Sequence, residues 1–587
     1  MTGVLAARSC SILAAALVWQ ADGPKLDGPE VENYARRLSM QPAEPAEGAQ
    51  PRPAPPARRV PAPDEVPVPP TLEQLQGQVP DPEDARTSLP ELVAPPENEA
   101  QRAYARRVLA RLDAIRRPKQ LTLSLEDAVR RALASNYGIR VEGYNPAINT
   151  TRIVEAEAAF DATFFLNTTK NIQDQPSPSQ LQGTNIDTFN MQGGIRKLLP
   201  IGMQVSTSLE WTRQTSNTQF ALLNPSHFSQ FVTEFRQPLL RGFGLDFNRS
   251  QIVLARNDRT ISLQTFEQRV RDTLDQTEQA YWRLVQARRE VVISARLLAS
   301  FEQIYDYLYQ RRDFDAFRIQ LAETKARLES NKANFIRIVQ NVLSSEDRLI
   351  ALMNDPAINL STGAEIRPTD FPANEPLDID PIGEAQTALE HRSEIREAKL
   401  RIENARVLVG VAKNQALPRL DLTFRYVVDG LGESADDSFD EVTKNDFHEY
   451  FIGLEFEIPI GNRARRAAWR RAVLQWAQST AALKQVLEGV ILETNVAARD
   501  LISTHRQIEP NYQSTVANED QVQSIISRAE RRDFPQLSQE LGAYQGLAAS
   551  RSDLLRSMVD YSIAIVNLER AKGTLLQYNN VVLPEEE

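Results

Sequence analysis

This sequence predicts a mainly helical, internally duplicated chain that carries two groups of short strands. Three observations lead there. The 587 residues are poor in glycine, only 7% aromatic, and rich in Ala, Leu, Arg, Glu and Gln, the composition of long helices. The stretches after Leu121 and after Asp380 read as two collinear copies of one pattern. In each copy, segments of period-two alternation stand between an opening helix and a pair of long helices.

Residues 1–20 contain Arg8 and then an apolar run from Ile12 to Trp19, so they read as a remnant signal segment without a small-x-small cleavage site. Cys10 invites reading as a lipid-anchored cysteine, yet Ala7-Arg8-Ser9 lacks the usual Leu and nine residues are short for a signal; a misassigned start fits equally. Residues 21–118 form a Pro/Ala-rich arm. Its segment 41–100 holds nearly half the prolines and almost no aromatic residues, too little apolar surface to offset ordering. A short helix is expected around Ala100 to Ile115, ending before Pro118.

The first repeat spans 119–376 and the second 377–578, followed by an acidic tail, 579–587. LTLSLEDAVRRALASNYGIR aligns with DPIGEAQTALEHRSEIR so that Ala132-Leu133, Asn136 and Ile139 meet Ala388-Leu389, Arg392 and Ile395. Ser124 with Asp127 can cap the first opening helix, and Asp380 with Pro381 can begin the second.

Strands are expected within 162–237 and within 420–458. Leu420, Leu422, Phe424, Tyr426 and Val428 face away from Asp421, Thr423 and Arg425, and Tyr450 to Ile458 alternate in the same way. In the first repeat the candidates are Ala162–Lys170, Phe189–Leu198, Val205–Trp211 and Phe228–Phe235, with Leu199-Pro200-Ile201-Gly202 as a turn. A dry face and a wet face on strands of this length fit a membrane barrel, and they also fit a half-exposed sheet in a soluble domain. The acidic stretch after Val428 reads as a solvated loop.

Long helical hairpins follow at 247–354 and 463–577. Val270, Leu274, Tyr281, Leu284, Val291, Ala295, Leu298, Tyr305 and Leu308 form a heptad seam with gaps at Thr277, Arg288 and Glu302. Val285 and Val292 form a second stripe, which suits a stave in a wall of helices. The last helix repeats the seam at Leu554, Met558, Tyr561, Ile565, Leu568 and Leu575. The tetrapeptide RRDF interrupts the pattern in both hairpins, at Arg311, Arg312, Asp313 and Phe314 and at Arg531, Arg532, Asp533 and Phe534. It marks the tips where one long helix reverses into the next: the aspartates can cap the returning helices, and Pro535 suits a first turn. A surface turn with no further role fits the same residues.

The chemistry that is missing narrows the function. A net charge of -11 opposes a nucleic-acid partner. Arg463 to Arg471 reads as a solvated helix face. The single cysteine excludes an internal disulfide and a cysteine-based zinc site. His227, His391, His448 and His505 lie at no metal-ligand spacing and read as structural. With no GxxxxGK[ST], GxSxG or HExxH, we expect no catalytic residue, no metal, no cofactor and no enzyme activity. No stretch after the start is long and apolar enough for a membrane helix, so a membrane role has to use strands.

The chain resembles the TolC-like outer-membrane efflux proteins from about Leu121 to Gln577. The resemblance rests on LSLEDAVRRALASNYGIR, on the strand-to-helix exits EFRQPLLRGFG (234–244) and EFEIPIGNR (455–463) with Pro238, Gly242, Pro459 and Gly461, on QAYWRLVQAR (279–288), and on DYSIAIVNLERAKGTLL (560–576). It implies a homotrimer whose strands close one transmembrane β-barrel in outer-membrane lipid, while the long antiparallel helices form a periplasmic α-barrel. It further implies a passive exit duct for small molecules or exported proteins. A periplasmic adaptor would meet its tips, and an inner-membrane transporter would supply the energy. The tips map onto Arg311 to Phe317 and Arg531 to Gln536, where Arg-Asp stands in place of the usual Gly-containing turn. Three copies of Asp533 and its arginines near an axis could hold a gate by ion pairs, each worth about 0–1 kcal/mol when exposed. The family prototype has four strands per chain, so the hairpin Phe189–Arg213 is extra; it either widens the barrel or projects beyond the membrane. The competing expectation is a soluble coiled-coil scaffold or adaptor of the cell envelope, which has no need of alternating strands with Pro-marked exits.

Overall fold

The computed structural model describes residues 58–59, 99–117, 119–176, 183–218, 221–312, 318–361, 363–527 and 534–582. The expected signal segment, most of the arm and the end of the acidic tail lie outside them. The short helix expected before Pro118 is α1 (Glu99–Leu112). It is fastened to the chain by ion pairs from Arg107 to Asp306, at 2.7 Å, and from Arg111 to Glu302.

After β1 (Gln120–Leu123), the first repeat opens with α2 (Leu125–Ser135) and α3 (Tyr137–Glu157). Ser124 Oγ accepts the Asp127 amide at 3.1 Å, the expected cap. Four strands follow: β2 (Thr163–Asp174), β3 (Asn185–Leu198), β4 (Gln204–Ser216) and β5 (Ser226–Pro238). The chain then enters α4 (Ser250–Gln310), about 90 Å long at 1.5 Å per residue, and returns in α5 (Arg318–Met353).

The second repeat follows the same order. After β6 (Glu365–Pro368) come α6 (Pro381–His391) and α7 (Ser393–Gln415). Asp380 caps α6 through the Ile382 and Gly383 amides, with Pro381 at the first turn. Then come β7 (Arg419–Gly432), α8 (Ala435–Lys444), β8 (Phe447–Glu457), α9 (Arg463–Ser527) and α10 (Phe534–Lys572). The duplication extends to the kinks. Asn136 sits between α2 and α3 at φ -63, ψ 120, and Arg392 between α6 and α7 at φ -69, ψ 125. The aligned Ala132 and Ala388 are fully buried. β1 and β6 pair in parallel, so the strand before the first opening helix lies beside the strand that precedes the second.

All the strand segments expected from alternation are present, most extended by a few residues, and they form one antiparallel sheet in the order β2-β3-β4-β5-β7-β8. Direct cross-strand partners share a face. One face runs through Phe164, Ile195, Thr207, Thr233, Tyr426 and Tyr450, the other through Thr163, Arg196, Ser206, Glu234, Arg425 and Phe451. The hairpin of β3 and β4 is therefore an integral part of the sheet.

The acidic stretch after Val428 differs from the expected solvated loop. β7 continues to Gly432, and α8 is nucleated by a capping box in which Ser434 Oγ accepts the Asp437 amide and the Asp437 carboxylate accepts from Ser434. It packs on the apolar face of the sheet at the end away from the long helices. A Cβ on Gly430 would stand 2.1 Å from the Ser438 carbonyl oxygen, so bare backbone is what lets the helix settle there. Ser229 and Ser438 share a buried hydrogen bond of 2.7 Å beneath it.

The main core follows the heptad seam of α4. Leu274, Tyr281, Leu284, Val291, Ala295 and Leu298 are buried against α5, α10 and the opening helices. The seam's gaps are buried or half-buried polar contacts: the buried Thr277 hydroxyl donates to Thr273 O at 2.7 Å, the half-buried Arg288 enters an ion-pair cluster, and the half-buried Glu302 meets Arg111. Tyr281 donates to Asp370 Oδ2 at 2.6 Å and Tyr561 to Glu375 O at 2.7 Å, so the tyrosines of both motif segments clasp the irregular segment between β6 and α6.

Candidate functional site

The two strand-to-helix exits are built from backbone turns that only a few residue types allow. Gly242 at φ +90 and Gly461 at φ +85 occupy the left-handed region after Pro238 and Pro459. The same signature closes the β3–β4 hairpin: Pro200-Ile201-Gly202, with Gly202 at φ +92, returns the chain into a strand where the other two release it into helices. That turn is pinned at the level of the first exit, because the Gly244 amide donates to Ile201 O at 3.3 Å.

Asparagines bind the exits to the end of α7. Asn414 Oδ1 accepts the Gly242 amide at 2.7 Å and Asn414 Nδ2 donates to Phe243 O at 3.0 Å. Asn248 Nδ2 donates to Gly242 O and Gly244 O, and Asn462 Nδ2 donates to Ala416 O at 2.8 Å. The C-terminus of α7 thus ties together the exits of both repeats, where the sheet meets the helices. Sequence reasoning found the glycines and prolines and missed these asparagines; the partners of Asn414 and Asn462 are distant in the chain, while those of Asn248 lie within six residues.

Just above this junction the polar face of the sheet carries a charge cluster. Arg236 pairs with Asp421 and Glu455 at 3.0 and 3.1 Å, and Arg419 pairs with Asp421, Glu455 and Glu457 at 2.9, 3.1 and 3.5 Å. Towards the far end, Asn190 bonds Glu210 and Thr212, and Gln230 bonds Asp429. The opposite face carries aromatic rows: Phe189, Trp211 and His227 in edge and tilted contact, and Tyr426 against Tyr450. Its apolar side chains are open, with Ile452 74% and Leu454 65% exposed.

At the first reversal α4 ends at Gln310 and α5 begins at Arg318, as the RRDF break predicts. The Arg311 guanidinium bonds the Tyr307 hydroxyl, and Arg312 lies 4.2 Å over the Tyr309 ring. Tyr305 stacks on Tyr309, so aromatic side chains of the last turns support both arginines. Asp313, Phe314, Arg531, Arg532 and Asp533 lie outside the described residues. α10 begins at Phe534 and holds Pro535 in its first turn.

Among the described residues no cluster of His, Cys, Asp or Glu could hold a metal ion, and no helix is long and apolar enough to cross a membrane.

A wall of long helices continuing into a two-faced antiparallel sheet is the fold of the outer-membrane channel proteins. No protein-family model matches the chain, and no curated protein matches it in sequence. Solved structures do. The outer-membrane channel OprN is similar with a TM-score of 0.58 and 16% identity, over 79% of this chain and 92% of that one. The CmeC outer membrane channel of Campylobacter jejuni gives a TM-score of 0.59 and 16% identity, over 77% and 86%. The outer membrane protein VceC of Vibrio cholerae gives 0.56 and 15%, over 76% and 96%.

Proposed function

We propose that the chain is a subunit of a passive exit duct in the bacterial outer membrane, with its long helices in the periplasm. The observation that carries this reading is the sheet: one face is charged and hydrogen-bonded, and the other leaves residues such as Ile452 and Leu454 mostly exposed. Water does not tolerate so continuous an apolar face, and lipid does. The similarity of the fold to efflux channels such as CmeC and OprN supports the same reading.

Copies of the chain assemble around the duct as a homotrimer. In support, α3 exposes an apolar heptad stripe in the single chain, Tyr137 59%, Val141 66%, Tyr144 61% and Ile148 49%, and such a stripe calls for a neighbouring helix. A periplasmic adaptor meets the RRDF tips, and an inner-membrane transporter drives export through them. Arg531 and Asp533 contribute to closing the lumen there.

The test is the full chain exported in bacteria, extracted from the outer membrane in detergent and recorded in planar bilayers. Trimers with discrete conductance steps are expected; soluble, non-conducting protein would favour the scaffold reading. In the same recordings, Arg531→Gln with Asp533→Asn is expected to raise the open fraction several-fold, since each exposed ion pair removed is worth about 0–1 kcal/mol. Unchanged gating would remove these residues from the gate.

A further inference from the structure

The sheet of one chain ends in two edge strands, β2 and β8, and neither is paired along its outer side among the described residues. In lipid every unpaired backbone group costs several kcal/mol, so an open edge there has to be closed by another strand. The two edges match each other: β2 has 12 residues and β8 has 11. Six strands is an even number and neighbours are antiparallel throughout, so β2 and β8 run in opposite directions. The β8 edge of one copy can therefore continue the antiparallel ladder onto the β2 edge of a second copy. Closing β8 onto β2 of the same chain would give a barrel of six strands, smaller than the eight-stranded barrels whose interiors side chains already fill.

Resting on the duct reading above, we infer that the outer-membrane barrel of this protein is built from the whole six-stranded sheet of each chain, eighteen strands in a trimer, and is about half again as wide as one built from four strands per chain. The β3–β4 hairpin decides this. It is inserted between β2 and β5 by ladders that run from Thr163↔Arg196 to Asp174↔Asn185 and from Gln204↔Arg236 to Gln214↔Ser226. It cannot project beyond the membrane, because Ile201 at its turn is bonded at the helix exit, on the same level as the ends of the neighbouring strands. Its side chains obey the wall's alternation, with Met191 and Trp211 on the apolar face and Asn190 and Glu210 bonded to each other on the polar face.

With strands about 4.8 Å apart and tilted about 40°, eighteen strands close at a backbone diameter of roughly 36 Å and twelve at roughly 24 Å. Barrels of 16–18 strands leave an aqueous channel. The width of the external mouth therefore does not restrict cargo as a twelve-stranded wall would, and the polar lining, with four arginines against seven carboxylates on the paired strands of each chain, is net acidic.

The experiment is electron cryomicroscopy of the full chain purified as its membrane assembly, counting strands around the ring. Eighteen strands with β8 paired to β2 of the neighbouring copy are expected. A trimer closed on twelve strands, or one with the β3–β4 hairpin outside the wall, overturns this inference and leaves the duct reading intact; a soluble or monomeric protein overturns both. A second measurement compares the full chain with a variant lacking residues 179–220, which joins β2 directly to β5. The largest poly(ethylene glycol) entering from the external side is expected to shrink by about one third in radius in the variant. An equal cut-off in an assembled variant counts against the wider barrel, and if the variant does not assemble the strand count alone decides.

Discussion

Replacing Arg288 with alanine is expected to destabilise the folded chain by about 3–5 kcal/mol, the range for breaking one side of a buried ion pair. The Arg288 guanidinium lies 2.7 Å from Glu346 and 3.1 Å from Glu365, carboxylates that are 0% and 1% exposed. The two do not depend on it equally. Glu365 also accepts the Arg117 amide at 3.0 Å and Arg367 Nε at 2.9 Å, and these donors hold its carboxyl below the ordinary range despite burial. Burial pushes the Glu346 carboxyl up, and Arg288 is the main opposing influence. Without Arg288, Glu346 has to take up a proton or stay charged without its partner. Chemical denaturation of the detergent-solubilised protein should show the loss. The double replacement Arg288→Met with Glu346→Leu should recover most of it, because a buried pair exchanged for well-packed apolar groups is often neutral or better. A loss below about 1 kcal/mol for Arg288→Ala would mean that water reaches the cluster.

Arg288 also shows what the sequence could and could not reveal. It is legible as a gap in the α4 heptad seam, because a period is a local property of the chain. Its partners lie 58 and 77 residues away, and no pattern announces which carboxylates such an arginine will meet. The same division runs through the fold. Each strand could be read from period-two alternation, and each exit from its proline and glycine. The ladder that inserts the β3–β4 hairpin between β2 and β5 could not, since register is set by pairing across the sheet. The ends of the long helices were legible because the seams of both hairpins break at the same tetrapeptide, and the support that Tyr305, Tyr307 and Tyr309 give to Arg311 and Arg312 was overlooked although it stands one turn before them. α8 was missed although its cap, Ser434 with Asp437, is a local signal. The four acidic residues of its first two turns, Asp436, Asp437, Asp440 and Glu441, read as solvated loop, and the glycines that seat it lie in the preceding strand.

Glu278 should make the protein less stable as pH rises from about 4.5 to about 7. Its side chain is 1% exposed on α4, with Asn579 Nδ2 donating to Oε1 at 2.7 Å. Burial is the main cause that lifts its carboxyl from 4.5 to about 7; Asp275 on the same helix and Glu569 on α10 add to it, and the Asn579 bond opposes it. Below 4.5 both the folded and the unfolded chain hold the proton, and the stabilisation is fully present. Between 4.5 and 7 the unfolded chain has released it while the folded chain keeps it, so folding takes up a proton and each rise in pH weakens the folded state. Above 7 both forms are ionised and the loss is complete, about 3 kcal/mol at about 1.4 kcal/mol per pH unit. Asp275, also raised chiefly by burial, contributes in the same direction, and Arg570 beside it limits its share. Glu278→Gln keeps the shape and the Asn579 contact without a titrating proton. Its denaturation midpoint should therefore change less between pH 5 and pH 8 than that of the unmodified protein, with the gain in stability confined to the higher pH. Parallel pH profiles for the two proteins would show that Glu278 does not carry the proton taken up on folding.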